Sequence, residues 1–193
     1  DSNTAVMVLD GDGNVHFAND AAERLCGKPT DNQPYTLKSI WAEDFARERL
    51  DHLRECAATG RVVTVDGMIR GRFMRSGFRP LPPDTQDRRR VLLVARPSSP
   101  PAMPEPGVIR ARIDDTGPLG NLTTREIEIL RLIGAGLSTA DIAKRLHRSV
   151  KTIEWHRVSL GNKLGVSNRV ELARIAINAG LIGVENVRGV TTE

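Results

Sequence analysis

The chain has few aromatic residues, few cysteines and no long apolar run. Only 4% of its 193 residues are aromatic, and two of these are tryptophans. No apolar stretch approaches the roughly 18 residues that a membrane span requires, so we expect no membrane association. No signal peptide is evident, although the chain does not begin with Met. Cys26 and Cys56 lack the spacing of metal ligands, and we expect both to be buried, reduced thiols.

The positive charge of the chain is concentrated in one segment. Residues 121–183 hold ten Lys and Arg against five Asp and Glu, whereas the remainder holds eighteen against nineteen. An excess of this kind is typical of proteins that bind a polyanion, although a solvated basic surface has the same composition.

The first half of the chain shows a mixed α/β pattern. "AVMVLDGDGNVHFAN" predicts a β-hairpin, and "NDAAERLCG" predicts a helix that begins at Asn19 or Asp20 and ends at Gly27. A second helix is predicted from near Asp44 to Ala58. Three strands follow in "RVVTVDGMIR", "RFMRSGFRPL" and "RVLLVAR"; the last is apolar on both faces, which predicts a central strand. This order indicates an α+β domain with an antiparallel sheet over residues 1–97.

These patterns resemble a PAS domain. The resemblance rests on "VLDGDGNVHFANDAAERLCG", "TGRVV" and "FRPL…RRVLLVAR", and it covers about residues 4–96. It implies a sensory or dimerisation domain with room for a small-molecule ligand between sheet and helices, although the ligand stays unknown. We expect neither haem nor flavin, because His52 is predicted to face water and "RLCGK" does not resemble the cysteine motif of flavin photosensors.

A proline-rich segment separates the two halves. Six of the eleven prolines lie between Pro97 and Pro118, which excludes a helix or a central strand there. We therefore predict an extended linker over residues 98–120. Within it, "VIRARI" alternates apolar and basic residues and predicts one short strand that folds back onto a domain.

The segment after the linker predicts four short helices. "TTRE" and "STAD" are helix start signals, Ser149 is an N-cap for the next helix, and "SNRVELARIAINAGLI" is the last helix. Only a few residues connect the second and third helices, which is helix-turn-helix spacing. We assign residues 121–183 to this all-α domain and residues 184–193 to a tail.

The third helix places its tryptophan on the side opposite its core residues. At about 100° per residue, Ile153 and Leu160 share one face and Trp155 lies on the other. A recognition helix needs side chains on that outer face to contact DNA bases and phosphates in the major groove. The candidate DNA-binding residues are Lys151, Thr152, Glu154, Trp155, Arg157, Val158 and Asn162. A contact surface for a partner helix is the alternative.

Residues 122–182 resemble the DNA-binding domain of LuxR/NarL-type regulators. "LTTRE", "IAKRL", "VKTIEWH" and "KLGV" carry the resemblance in register. It implies a cytoplasmic, nucleoid-associated bacterial transcription regulator that binds double-stranded DNA as a homodimer. It places the dimer contact at Val170, Ala173 and Ile177, for which core packing is the alternative. Glu154 departs from the family, which often has a basic residue there.

Other functions find less support in the sequence. "DGDGN" lacks the glycine and the carboxylate that a calcium loop needs at its sixth and twelfth positions, so we predict a turn. The first half does not alternate helix and strand as a receiver domain does. No catalytic cluster and no metal site is visible, so we expect a protein that is not an enzyme. A sigma-factor-like subunit would need a helical domain upstream. A PAS half that docks RNA polymerase or an upstream signalling protein, with DNA binding secondary, is the alternative function.

Overall fold

The computed structural model of the protein describes residues 3–27, 34–83 and 89–182. These residues form two compact units. The first unit extends to residue 115, apart from residues 70–73 and 99–102; the second consists of those two segments and the chain from residue 116 onward. Within the described part, no helix combines the length and the apolar character needed to cross a membrane.

The first unit is built on a six-stranded sheet with the strand order β2-β1-β5-β4-β3-β6. The strands are β1 (Ala5–Asp10), β2 (Val15–Ala18), β3 (Val63–Ile69), β4 (Arg72–Pro80), β5 (Arg90–Pro97) and β6 (Val108–Arg110). β5 lies between β1 and β4 and is antiparallel to both, which confirms that "RVLLVAR" is a central strand. The predicted α+β class is thereby confirmed.

Three helices cover one face of this sheet: α1 (Asp20–Cys26), α2 (Leu37–Ile40) and α3 (Glu43–Thr59). Asn19 starts α1, because its side chain accepts a hydrogen bond from the Ala22 N–H at 2.9 Å. Gly60 ends α3 in the left-handed conformation. The short α2 was not predicted. It begins with a capping box in which Thr36 and Ser39 bond reciprocally.

The "DGDGN" segment is the turn between β1 and β2. The Asp10 carboxylate accepts hydrogen bonds from the backbone N–H of Asp12 at 3.1 Å and of Asn14 at 3.0 Å. His16 also contacts this carboxylate, with Nε2 at 2.9 Å. A side chain that bonds to the N–H groups of its own loop closes a turn, which confirms the turn prediction.

Part of the proline-rich segment is an edge of the sheet. β6 pairs with β3 in parallel register, with Val65 opposite Ile109, so the prediction that "VIRARI" contains a strand is confirmed. We call residues 103–115 the strap. Beyond β6, the N–H of Ala111 donates to the Asp66 carbonyl at 2.8 Å and the N–H of Asp115 donates to the Met68 carbonyl at 3.1 Å.

A buried carboxylate of α3 holds the strap. Glu48 is 5% exposed, and its oxygens accept the backbone N–H groups of Arg112 at 2.8 Å and Ile113 at 3.0 Å. Burial by itself raises the pKa of Glu48, but these two hydrogen bonds and the neighbouring Arg49 outweigh it and lower the pKa. Glu48 therefore stays ionised and satisfies two donors of the strap.

The prediction that His52 faces water was wrong. His52 is 9% exposed, and its ring lies 6.2 Å from the ring of Phe78, centroid to centroid. Leu50 and Leu53 lie in the apolar stripe of α3 and are buried. The helix is buried on a wider arc than this stripe, and Glu48, one turn before His52, lies beneath the strap.

The second unit contains four α-helices within the described residues, as predicted. They are α4 (Thr124–Gly134), α5 (Thr139–Arg145), α6 (Val150–Leu164) and α7 (Arg169–Asn178), preceded by a short 3₁₀ helix (Gly117–Asn121). Thr123 with Glu126, and Ser138 with Asp141, form capping boxes at α4 and α5. The largest fully buried side chains of this unit are Ile129, Leu130, Ile133, Ile142, Ile153, Leu160 and Leu172.

Candidate nucleic-acid interface

α5 and α6 form a helix-turn-helix. Only residues 146–149 separate the two helices. Ser149 starts α6, because its Oγ accepts a hydrogen bond from the Thr152 N–H at 3.1 Å. Ile153 and Leu160 anchor the inner face of α6 with exposures of 1% and 0%. The inner face is therefore fixed to the core, and the outer face of α6 is available to a partner.

The outer face of α6 carries large apolar side chains in water. Trp155 is 66% exposed and Val158 is 54% exposed, and Lys151 and Asn162 on the same face are also exposed. The prediction that the tryptophan points away from the core is therefore confirmed. A large apolar patch that the fold leaves open is typical of a binding surface.

Three of the candidate residues are engaged within the protein. Glu154 is half-buried; it accepts a hydrogen bond from Thr139 Oγ1 at 3.0 Å and another from Arg157 Nε at 2.8 Å. The hydrogen bond from Arg157, followed by that from Thr139, lowers the pKa of Glu154. The Thr152 hydroxyl lies 2.8 Å from Ser149 Oγ. The acid on this face is thus paired with a neighbouring cation, which offsets its repulsion of phosphate.

A residue that the sequence showed only as a helix cap also fixes α6. Glu126 is 4% exposed and accepts hydrogen bonds from Ser159 Oγ at 2.9 Å and Lys163 Nζ at 2.7 Å. Burial by itself raises the pKa of Glu126, but the bonds from Lys163, Thr123 and Ser159 lower it from 4.5 to about 2. The "TTRE" pattern indicates the cap, but no local pattern links it to residues more than thirty positions away.

The three predicted dimer residues lie along α7. Val170 is 77% exposed and Ile177 is 56% exposed, so neither packs in the core of this unit. Ala173 between them is half-buried. The buried residues of α7 are Leu172 and Ala176, on its other side. Val170 and Ile177 therefore lie on a solvent-exposed apolar face of α7.

Metal-binding groups are absent from the part of the chain that the structure describes. No group of three or more His, Cys, Asp or Glu side chains is placed there to bind a metal ion. Cys26 and Cys56 are buried and form no disulfide with each other. Burial raises the pKa of the Cys56 thiol, which disfavours the thiolate that a metal would require.

One unit thus contains a helix-turn-helix, and the other contains a sheet with helices on one face. Residues 120–176 match the luxR family of bacterial regulatory proteins, and residues 1–63 match the PAS domain. The chain therefore contains a LuxR-family regulatory domain and an N-terminal PAS domain.

Particular relatives resemble parts of the chain. The oxygen regulatory protein NreC of Staphylococcus aureus strain JH9 is 40% identical over 67 residues, which are 35% of this chain and 31% of NreC. The chain thus spans about a third of the length of the curated relatives it matches.

Among solved structures, several of VqmA match most of the chain. The phage VqmA–DPO complex has 20% identity and a TM-score of 0.47 over 94% of this chain and 85% of its own. The Vibrio cholerae VqmA dimer in the absence of target DNA has 25% identity and a TM-score of 0.42 over 95% and 87%.

Proposed function

We propose that the protein is a DNA-binding transcriptional regulator whose α6 enters the major groove. The observation that carries this proposal is the outer face of α6. There Trp155 and Val158 are exposed to solvent on the second helix of a helix-turn-helix. The match of residues 120–176 to the luxR family supports the same function. The basic composition of residues 121–183 supplies the attraction to phosphate.

Each candidate residue has a role in this proposal. Trp155 and Val158 contact thymine methyl groups, and Lys151 and Asn162 reach base edges or phosphates. Thr152 and Arg157 lie at the flanks, where phosphates run. Glu154 accepts from Arg157 and therefore orients this guanidinium; a cytosine amino group is its second possible donor.

We further propose that two copies bind one operator. Val170, Ala173 and Ile177 form the dimer contact in this proposal, supported by the exposure of Val170 and Ile177. Paired recognition helices then meet two half-sites about one helical turn apart. The PAS domain senses a signal or contributes to dimerisation, and RNA polymerase or an upstream signalling protein is a further partner. The protein acts in the bacterial cytoplasm at the nucleoid.

The domain boundaries belong to the same proposal. The PAS-like domain takes residues 1–97, the linker 98–120, the DNA-binding domain 121–183 and the tail 184–193. Because β6 pairs with β3, we infer that part of the linker is bound to the PAS-like domain.

The test compares two variants on an operator obtained by selection from random sequences. We expect Trp155→Ala to relax base preference at one position and to cost about 1–3 kcal/mol there. We expect Lys151→Ala to weaken selected and random DNA alike and to reduce the salt slope by about 1. Fluorescence anisotropy on both DNAs at several salt concentrations measures these effects.

The matched control is Val62→Ala, because Val62 is 55% exposed and lies in the other unit. It should leave both affinities unchanged. If Trp155→Ala loses the same affinity on random and selected DNA, Trp155 does not read bases.

A further inference from the structure

A polar cluster joins α5, α6 and α7 beside the outer face of α6. At its centre, Glu154 Oε1 accepts from Thr139 Oγ1 of α5 at 3.0 Å and Oε2 accepts from Arg157 Nε of α6 at 2.8 Å. Arg169, the first residue of α7, donates to the Leu137 carbonyl. The pKa of Glu154 is lowered by the hydrogen bond from Arg157, then by that from Thr139, and less by the charge of Arg169. Glu154 is therefore ionised near neutral pH and held at both oxygens.

This arrangement differs from an ordinary surface ion pair. The pair on α4 offers the comparison, because Arg125 Nη1 lies 2.6 Å from Glu128 Oε2 at the same i,i+3 spacing. Among the described residues, Arg125 is the one donor to the Glu128 side chain, whereas Glu154 is also bonded to a neighbouring helix. Two mobile side chains gain little from pairing, since both must lose rotamer freedom. Glu154 is fixed by α5 and can therefore hold Arg157 in one orientation.

The bond from Nε leaves the far end of the Arg157 guanidinium open. The side chain is 33% exposed. In the part of the chain that the structure describes, Glu154 is the one group that bonds to Arg157, so the N–H groups on Nη1 and Nη2 are unused. Two parallel N–H groups at that end match two oxygens of a phosphate. The cluster thus presents a preoriented, two-pronged donor at the flank of the outer face of α6.

We propose that Glu154 is a positioning residue through which the helix-turn-helix discriminates between its operator and other DNA. It acts through Arg157, whose Nη1 and Nη2 it directs at one phosphate of the operator. This role rests on the proposed function, because it requires α6 in the major groove. Glu154 then needs no base contact of its own.

The same carboxylate has opposite effects on two kinds of complex. In a loose complex with random DNA, phosphates approach from many directions, and the charge of Glu154 cancels much of their attraction to Arg157. In the inserted complex the phosphate lies beyond the Nη groups, and the guanidinium separates it from the carboxylate. Arg157 enters this contact already oriented and loses less freedom on binding. Glu154 therefore weakens random binding and strengthens operator binding, which raises the ratio of the two affinities.

Two substitutions in the full chain separate the charge of Glu154 from its reach. Glu154→Gln removes the charge at nearly the same shape. We expect it to bind random DNA about threefold more tightly, with a salt slope steeper by about 1, and to bind the selected operator about threefold less tightly. Glu154→Asp keeps the charge, but its side chain is one methylene too short to reach Thr139 and Arg157 together. We expect it to weaken operator binding and to leave random binding unchanged. Fluorescence anisotropy on both DNAs at several salt concentrations measures these effects.

A double variant tests whether Glu154 acts through Arg157. Arg157→Lys keeps the positive charge but loses the Nε–H and the two-pronged end. We expect it to weaken operator binding, and adding Glu154→Asp to it should cost no further affinity. Losses that add would mean that Glu154 acts without Arg157 and would overturn the proposal. Glu128→Gln is the matched control, because it removes the acid of the simple pair on α4, and it should leave the ratio of affinities unchanged.

Two further results would overturn this role. An equal change on operator and random DNA in Glu154→Gln, or no change on either, would reduce Glu154 to a charge or to a support of the fold. A second selection from random sequences, made with Glu154→Gln, should return the same base preferences as the parent. A change of preference at one base pair would show instead that Glu154 reads a base directly.

The parent protein separates this role from the proposed function. If the parent prefers its selected operator and Trp155→Ala behaves as expected, yet Glu154→Gln keeps the ratio of affinities, only the role of Glu154 fails. If the parent prefers no selected sequence over random DNA, the proposed function itself fails.

Discussion

The Glu126 carboxylate accepts hydrogen bonds at two helices, α4 and α6. It caps α4 through Thr123 and accepts from Ser159 and Lys163 of α6. Its pKa of about 2 lies below the ordinary 4.5, so the native unit binds its proton less readily than the unfolded chain does. The stability that Glu126 provides is therefore fully present above about pH 4.5 and is lost as the pH falls towards 2.

We accordingly predict an acid-sensitive helical unit. Glu126→Gln should lower its free energy of unfolding by about 1–3 kcal/mol at pH 7 and should flatten the pH dependence between about 4.5 and 2. Urea unfolding of protein containing fluorotryptophan measures this, since Trp155 and Trp41 report separately on the two units. Glu128→Gln is the control, because Glu128 lies on the exposed side of α4. An unchanged pH dependence in Glu126→Gln would contradict the assignment.

Individual residues also show where sequence reasoning stops. The exposure of Trp155 was predictable, because helical periodicity alone separates it from Ile153 and Leu160. The hydrogen bond between Thr139 and Glu154 was not predictable, because it depends on how α5 and α6 pack together and not on a local sequence spacing. The burial of His52 was missed for a related reason, because a stripe predicts the centre of a buried face but not its width.

At the scale of elements, α6 depends on a close approach near its C-terminus. A Cβ on Gly161 would lie 2.7 Å from the Val166 carbonyl oxygen, a backbone atom that cannot move cheaply. Alanine favours a helix over glycine by about 1 kcal/mol, yet we predict that Gly161→Ala destabilises the helical unit by about 1–3 kcal/mol. The clash outweighs the gain in propensity.

Thermal unfolding followed through Trp155 measures this effect. Ser159 is unsuitable as a control because it contacts Glu126. Arg174→Ala is suitable, since it changes an exposed helical residue to alanine without a clash. A Gly161→Ala variant more stable than the parent would contradict the geometry at Val166.

Elements with strong local signals were the predictable ones. The helices α4 to α6 begin at the predicted caps, because Thr123, Ser138 and Ser149 each bond to the N–H group three residues further along the chain. The helix α2 carries only four residues, too few for a periodic pattern. The strand in "VIRARI" was predictable from alternation, but its partner β3 and its parallel direction were not, because pairing is a long-range choice.

At the scale of the whole molecule, the strap links the proline-rich segment to α3. We predict that Glu48→Gln accelerates amide hydrogen exchange in residues 108–115 by on the order of tenfold, because the amide accepts less strongly and no longer neutralises Arg49. Exchange followed by mass spectrometry on the full chain measures this. Glu55→Gln, on the exposed side of the same helix, should leave the exchange unchanged. Equal protection in both variants would show that β6 alone holds the strap.

The parallel pairing of β6 with β3 has a consequence for the behaviour of the protein in concentrated solution. β3 would otherwise be the last strand on that side of the sheet, with a row of unused N–H and C=O groups. Such a row is a template on which another polypeptide can add a strand. The strap replaces this edge of seven residues with β6, an edge strand of only three residues. A protein whose strap is lifted should therefore polymerise through the exposed edge of β3.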